Sequence, residues 1–165
     1  MWAVLKYDKK YLHLLNQDLR KKLGNDFQIY IPKIRIQKYK NNKLINKEFN
    51  LLGDYIFCFH KNLVFKNTLN TLKYSRGLKY ILEGFSQSQK EINEFIIKCK
   101  NHENTDGIMS RDFFDLQLDK KYKFGSGPFT DKFFKIIQIQ KENLKILLGN
   151  IKTTIKKKEF IFIPE

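Results

Sequence analysis

Two cysteine–histidine pairs are the feature of this sequence that comes closest to a metal site. Cys58 and His60 are separated by one residue, and Cys99 and His102 by two. Four such ligands are enough for tetrahedral zinc. Both cysteines, however, occur among the apolar residues of a predicted strand and a predicted helix, where free cysteine usually packs as a small hydrophobe. We therefore expect no metal and no cofactor.

Catalytic groups do not occur at a recognisable spacing in the sequence either. No glycine-rich phosphate loop follows a predicted strand, and no serine or cysteine has a base at a known spacing. Carboxylates cluster only at Asp112 and Asp115, in a segment with the composition of a flexible linker, which does not hold an acid–base pair in place. We expect no catalytic residues and no enzymatic activity.

The chain that must position any functional residue is strongly basic. Its 165 residues include 32 basic and 17 acidic ones, which gives a net charge of +15. This charge favours a polyanionic partner, most often nucleic acid. Of the basic residues 28 are lysine, and the chain is also rich in Ile, Asn and Phe, a composition that A+T-rich coding would produce without selection for binding. Residues 1–100 carry 20 basic and 8 acidic side chains, residues 101–119 carry 1 and 5, and residues 120–165 carry 11 and 4.

The composition is also that of a soluble, globular chain. Hydrophobic residues make up 42% of it, which is enough for a real core. No run approaches the roughly 20 apolar residues of a membrane span, and residues 1–8 lack the features of a signal peptide. Two distant cysteines do not make a disulfide framework. We expect a cytoplasmic protein that does not contact a membrane.

Residues 51–60 predict the middle strand of the main domain. Tyr55, Phe57 and Phe59 alternate with residues 56, 58 and 60, so the two sets lie on opposite faces of the strand. Both sets are largely apolar. Such a strand is either buried on both faces, or buried on one face and available to a partner on the other.

The first helix is predicted from Leu12, Leu15, Leu19 and Leu23, which recur at helical spacing and form one apolar stripe. At 100° per residue, the opposite side carries mainly polar side chains. These are Lys10, His13, Gln17, Arg20 and Lys21. This side is either a solvated surface or a contact surface for nucleic acid.

The order of predicted elements indicates an α+β fold for residues 1–100. The predicted order begins with a strand, the first helix, a hairpin around Asn41-Asn42 and the central strand. A short helix, another strand and a helix capped by Ser88-x-x-Glu91 come next. We expect an antiparallel sheet with helices on one face. Residues 101–119 are predicted to be an acidic flexible linker. Five short strand patterns in residues 120–165 predict a small all-β barrel, whose first turn is Gly127-Pro128-Phe129.

Four segments together resemble the NusG family of transcription elongation factors. The most specific is the Gly-Pro-Phe turn, which in this family opens the carboxy-terminal SH3-like KOW domain. The four segments are residues 2–4 (Trp-Ala-Val), 53–57 (Gly-Asp-Tyr-Ile-Phe), 75–77 (Ser-Arg-Gly) and 123–131 (Lys-Phe-Gly-Ser-Gly-Pro-Phe-Thr-Asp). The resemblance covers nearly the whole chain and implies an NGN domain over residues 1–100 and a KOW domain over residues 120–165.

The family resemblance implies that the NGN domain binds the clamp of the largest catalytic subunit of RNA polymerase. Family members dock through an apolar patch on the exposed sheet face, which here places Leu52, Tyr55 and Phe57 in the contact. Large aromatic side chains are the usual anchors of such interfaces. The alternative is that Tyr55 and Phe57 simply belong to the core.

The resemblance also implies a contact with upstream or non-template DNA. In the specialised relative RfaH, polar residues of the first helix and the arginine of an Arg-Gly turn read a DNA element. The matching positions are Lys10, His13, Gln17, Arg20 and Arg76. Lysine contacts to phosphate add affinity without sequence information, so binding is the firmer expectation and sequence specificity the weaker one.

Two departures from the family pattern leave the subclass open. Gly53-Asp54 replaces the usual Pro-Gly, and Phe134 occupies the place of the glycine that is typical of the KOW motif. RfaH-like members also lack that glycine, and their KOW domain switches between a barrel and a helical hairpin. The KOW partner, which can be Rho or a small-subunit ribosomal protein in this family, therefore stays open, as does the effect on pausing. We expect a monomer, and the alternative function is a general RNA- or ribosome-binding KOW protein.

Overall fold

The computed structural model of the chain describes residues 1–109 and 114–165, without the side chains of residues 38 and 39. These residues form two compact units. The first unit comprises Met1–Lys33 and Asn50–Asn101, and the second comprises Ile34–Phe49 and His102–Glu165. The hairpin in residues 34–49 thus groups with the second unit. The predicted boundaries at residues 100 and 119 stay a prediction.

The described residues form three α-helices and twelve strands. In chain order they are β1 (Trp2–Tyr7), α1 (Leu12–Leu23), β2 (Gln28–Tyr30), β3 (Lys33–Lys40), β4 (Lys43–Asn50), β5 (Tyr55–Phe59), α2 (Lys66–Leu72), β6 (Leu78–Ile81), α3 (Gln89–Asn101), β7 (Ile108–Met109), β8 (Lys121–Phe124), β9 (Phe133–Ile139), β10 (Asn143–Leu148), β11 (Ile151–Lys156) and β12 (Phe162–Pro164). None of the helices in the described ranges is long and apolar enough to cross a membrane.

The first unit is built on a four-stranded antiparallel sheet in the order β2-β5-β1-β6. The prediction that residues 51–60 contain a middle strand is confirmed, because β5 lies between β2 and β1. Register pairs Trp2 with Phe59, Val4 with Phe57 and Lys6 with Tyr55. These side chains share one face of the sheet, which we call the aromatic face, and the alternate residues form the inner face.

The inner face is buried along β1 and β5. Ala3, Leu5, Ile56 and Cys58 are inaccessible to solvent, as are the stripe leucines Leu15 and Leu19 of α1 and Leu72 of α2. The apolar stripe predicted for α1 is therefore confirmed as its buried side. Burial of roughly 1.5–3 kcal/mol per large apolar side chain is what holds α1 and α2 to the sheet.

The aromatic face is partly covered by α3. The ring of Phe95 in α3 lies 5.8 Å from the ring of Phe57. The side-chain amide of Gln89, at the start of α3, donates to the carbonyl of Trp2 (2.7 Å) and accepts from its N–H (2.9 Å). Phe95 thus extends the apolar stripe of α3 onto the side of the sheet that holds Phe57.

The second unit contains a five-stranded antiparallel sheet in the order β11-β10-β9-β8-β12. The five predicted strands in residues 120–165 are thus confirmed. The sheet encloses an aromatic core in which Phe134 lies 4.4 Å from Phe124 and 5.4 Å from Phe162, measured between ring centroids. The phenylalanine that replaces the family glycine is therefore a core residue here. The predicted fold class, an α+β unit followed by a small all-β unit, is confirmed.

A second sheet of this unit has the strand order β4-β3-β7. Its hairpin turns at Asn41 and Asn42, whose φ angles of 50° and 59° match the predicted turn. Part of the segment predicted as a flexible linker is ordered. The Asn104 side chain accepts from the N–H groups of Asp106 and Ile108, both at 3.0 Å, and Ile108 and Met109 are buried. Asp112 lies outside the described residues.

The predicted turn Gly127-Pro128-Phe129 is packed against the aromatic core of the second unit. Gly127 has φ of 80°, and a Cβ added to it would lie 2.6 Å from the ring of Phe160. Its N–H donates to the side-chain oxygen of Gln37 (2.8 Å), and its carbonyl accepts from the Thr130 hydroxyl (2.6 Å). Glycine is required here both by the backbone conformation and by the neighbouring ring.

Replacing Gly127 tests this account of the turn. Gly127→Ala should destabilise the second unit more than Gly149→Ala does, because Gly149 also has positive φ (59°) but has nothing within 4 Å of an added Cβ. The control carries only the backbone penalty of about 1–2 kcal/mol, whereas Gly127→Ala adds an overpacking penalty of about 1–3 kcal/mol. Hydrogen exchange of the β8–β12 amides measures the difference. Equal losses for the two variants would show that the ring contact is unimportant.

Candidate interaction surfaces of the first unit

The open part of the aromatic face holds two tyrosines and a lysine, which we call the tyrosine–lysine cluster. Tyr55 of β5 and Tyr80 of β6 share a hydrogen bond between their hydroxyls (2.8 Å), and their rings lie edge to face at 6.4 Å. The Lys6 ammonium lies 5.2 Å from the centre of the Tyr55 ring and 5.4 Å from that of Tyr80. Tyr80 is 44% exposed, while Tyr55 and Lys6 are half-buried. The cluster is therefore accessible and held in one arrangement.

The electrostatics of the cluster keep a positive charge at its centre. The neighbouring side chains of Tyr55 and Tyr80 raise the pKa of Lys6 above its ordinary value. The hydroxyl–hydroxyl hydrogen bond raises the pKa of Tyr55 and lowers that of Tyr80. Close by in the sequence, the Asp54 carboxylate pairs with Lys9 (3.1 Å), and this hydrogen bond lowers the pKa of Asp54. The only described acidic group next to Tyr55 in the chain is thus already paired.

Phe57 differs from Tyr55 although both are on the aromatic face. Its side chain is only 4% exposed, and its ring lies 6.4 Å from Trp2 and 6.3 Å from Tyr30 in addition to its contact with Phe95. The expectation that Phe57 is an exposed contact residue is therefore corrected: it belongs to the core. A strand's two-residue period places Tyr55 and Phe57 on the same face, and the rings of Trp2, Tyr30 and Phe95 around Phe57 distinguish the two.

Leu52 lies in the turn that precedes β5. It is half-buried and packs against the core of the first unit, and its carbonyl accepts from the N–H of Tyr55 (3.2 Å). Leu52 thus remains next to the tyrosine–lysine cluster in the chain and partly accessible.

The second surface is the polar side of α1 together with the turn that contains Arg76. We call it the basic helix face. The predicted residues on and before α1 are all exposed: Lys10, His13, Gln17 and Arg20. The guanidinium of Arg76 reaches α1 through Asp18, with Nη2 2.7 Å from Oδ1. The Arg76 N–H also donates to Oδ2 of Asp18 (2.8 Å). The structure therefore brings Arg76 to the helix predicted to accompany it.

Two further contacts fix the Arg76 turn against α1. Lys22 Nζ donates to the carbonyl of Thr71 (2.8 Å) and bonds to the hydroxyl of Ser75 (3.0 Å). Gly77 has φ of 78°, and a Cβ there would lie 2.8 Å from the carbonyl oxygen of Tyr11. Any other residue would collide with backbone at this point. The turn is thus held along the helix by both polar contacts and close approach.

Asp18 is the functional-surface residue that the sequence patterns missed. It is buried, and its hydrogen bonds to the side chain and the backbone of Arg76 hold its pKa well below the usual range. The signal was a single carboxylate within a helix that is otherwise basic on its polar side. Its partner is 58 residues away in the sequence, so no local pattern identifies the pair.

The cysteine–histidine pairs have the surroundings of core residues. Cys58 is fully buried, and this burial raises the pKa of its thiol to about 12, so the thiol stays protonated. The Nδ1 atom of His60 accepts from the N–H of Asn62 (3.1 Å). Within residues 1–109 and 114–165, no group of three or more metal-ligating side chains comes together.

Comparisons with known proteins give no family model that matches the sequence and no match among curated proteins. Several solved structures match, and two of them cover nearly the whole chain. The MjSpt4:Spt5 complex is 12% identical, with 100% of this chain and 98% of the other covered and a TM-score of 0.30. Thermotoga maritima NusG is 16% identical, with 95% and 94% covered and a TM-score of 0.34. Both are NusG or Spt5 structures, and the sequence motifs of this chain resemble the NusG family.

Neutralising Asp18 tests the link between α1 and the Arg76 turn. The pKa of Asp18 is depressed in the folded state, so its contribution to stability is present above the unfolded-state pKa of about 4 and is lost as the pH falls below it. Asp18→Asn should therefore lower the melting temperature at pH 7, and the difference from the wild type should shrink between pH 4 and pH 2.

The matched control for this titration is Asp26→Asn, since Asp26 is exposed. We expect its melting temperature to follow the wild type throughout. A constant difference between wild type and Asp18→Asn from pH 7 to pH 2 would contradict the ion-pair account.

Proposed function

We propose that this chain is a NusG-like transcription elongation factor that acts by binding and performs no chemistry. Its first unit docks on the clamp of RNA polymerase through the tyrosine–lysine cluster and the neighbouring Leu52. The observation that carries this proposal is that Tyr55, which the family resemblance assigns to the docking surface, lies in an accessible aromatic cluster.

The cluster has the properties of an interface anchor. Tyrosine is enriched among the residues that dominate binding energy, and anchors that are already ordered lose little side-chain entropy on binding. The Tyr55–Tyr80 hydrogen bond and the enclosed Lys6 ammonium supply that order. A cation held between two rings favours a partner that presents a carboxylate or a backbone carbonyl beside apolar side chains.

The same proposal assigns further partners to the basic helix face and to the second unit. The basic helix face contacts upstream or non-template DNA, with Lys10, His13, Gln17, Arg20 and Arg76 as the contacting residues. The ion pair with Asp18 offsets the charge of Arg76 and leaves the Arg76 side chain 52% exposed. We therefore assign positioning and hydrogen bonding to Arg76, and attraction of phosphates to Lys10 and Arg20. The second unit recruits another factor, such as Rho or a small-subunit ribosomal protein.

Capture of purified RNA polymerase from the same source tests the docking surface. The full chain should retain the enzyme at physiological salt, and Tyr55→Ala/Tyr80→Ala should bind it at least about tenfold more weakly, because two anchor side chains are lost. Phe57 is left intact because truncating a buried phenylalanine costs about 3–5 kcal/mol of stability and would confuse misfolding with lost contact.

The matched control is Val64→Ala/Phe65→Ala, which removes two strongly exposed apolar side chains elsewhere on the same unit. It should capture polymerase like the wild type. Equal capture by all three proteins, or capture by none, would refute the docking surface; RNA or ribosome binding would then be the better reading of the basic charge.

A further inference from the structure

Tyr74 is the most exposed large hydrophobic side chain of the described residues, at 86%. It lies just beyond the end of α2, two residues before Arg76. An aromatic ring left in water forgoes the free energy that its burial would contribute. Core packing therefore does not account for its presence at this position.

The backbone that carries Tyr74 is held firmly although its side chain is free. The Ser75 N–H donates to the carbonyl of Leu72 (2.9 Å), and Ser75 itself is buried. On the other side, Arg76 is bonded to Asp18 through its N–H and its guanidinium. The Tyr74 ring thus projects from a fixed turn, so a ligand that covers it orders one side chain and not a loop.

The turn that carries this ring is bordered by positively charged side chains. Lys73 is exposed beside it in the chain, and Lys22 bonds to the same turn. The Lys10 ammonium lies 5.4 Å above the ring of Tyr11, whose backbone touches Gly77. Asp18 and Arg76 pair with each other and together add no net charge. The site therefore combines an accessible ring with cations on a fixed frame.

We propose that Tyr74 is a stacking platform for an unpaired base of single-stranded nucleic acid, whose phosphates are held by the basic helix face. The inference rests on the proposed nucleic-acid contact and specifies its ligand. An exposed ring on a turn bordered by lysines suits a chain that alternates aromatic bases with phosphates, and stacking on such platforms tolerates any base. Duplex DNA offers its phosphates but keeps its bases stacked inside, so the ring discriminates against it.

Binding of the full chain to three probes tests the proposal by fluorescence anisotropy. The probes are a 12-nucleotide oligo-dT strand, an abasic strand with the same phosphates, and a 12-base-pair duplex. The wild type should prefer oligo-dT to the abasic strand by about 5- to 150-fold, the range expected for one base–aromatic stack. Tyr74→Ala should lose this preference and bind oligo-dT as weakly as the abasic strand, whereas Tyr74→Trp should keep it.

Two control variants separate stacking from charge. Phe65→Ala removes another strongly exposed ring at the opposite end of α2 and should bind all probes like the wild type. Arg20→Ala/Lys21→Ala should weaken all three complexes and reduce the slope of log affinity against log salt by about 1–2, while Tyr74→Ala leaves that slope unchanged. Because the Tyr74 side chain faces water, its variants should melt like the wild type.

The outcomes distinguish the two proposals. If Tyr74→Ala keeps the preference for oligo-dT while Arg20→Ala/Lys21→Ala weakens binding, the stacking role is overturned and the nucleic-acid contact stands. If the wild type binds oligo-dT and the abasic strand equally, stacking is likewise overturned. If it binds none of the probes at physiological salt, the nucleic-acid contact itself falls, and stacking falls with it.

Discussion

The pairing of β1 with β5 is the constraint on which the rest of the first unit depends. Its register places Trp2, Val4 and Lys6 opposite Phe59, Phe57 and Tyr55, so one sheet face is aromatic along its whole length. A face of this kind cannot all be left in water without a large loss of burial free energy. α3 covers the end that holds Trp2 and Phe57, and the hydroxyls of Tyr55 and Tyr80 are left at the end that remains accessible. The candidate docking surface is thus the uncovered remainder of a core face.

The Asp18–Arg76 pair has a comparable organising effect on the other candidate surface. Buried carboxylates are stable only when paired and hydrogen-bonded, and Asp18 meets this condition by holding both the backbone and the guanidinium of Arg76. The ion pair therefore lowers the net charge of the surface while it fixes the turn in place. In the proposed nucleic-acid contact, Lys10 and Arg20 attract phosphates, and the fixed turn provides the geometry that holds Tyr74 outward.

The second unit shows how a departure from a family pattern can be absorbed by a core. Phe134 stands where the resemblance leads one to expect glycine, and its ring is enclosed by Tyr122, Phe124 and Phe162. The Gly127 turn then packs on Phe160 at the edge of the same cluster. β9, β10 and β11 are strands in this arrangement, and their alternate side chains fill one apolar core.

The sequence by itself determined the features that depend on local periodicity and turn chemistry. The leucine stripe of α1, the Asn41-Asn42 hairpin, the middle strand and the five strands after residue 120 are all repeats or turns that neighbouring residues specify. Tertiary structure decided which residues that are distant in the sequence come into contact. It separated buried Phe57 from accessible Tyr55, which are equivalent in a two-residue period, by packing the rings of Trp2, Tyr30 and Phe95 around Phe57. It also joined Asp18 to Arg76 and ordered residues 102–109 beside β3, because both arrangements depend on groups that meet only when the chain is folded.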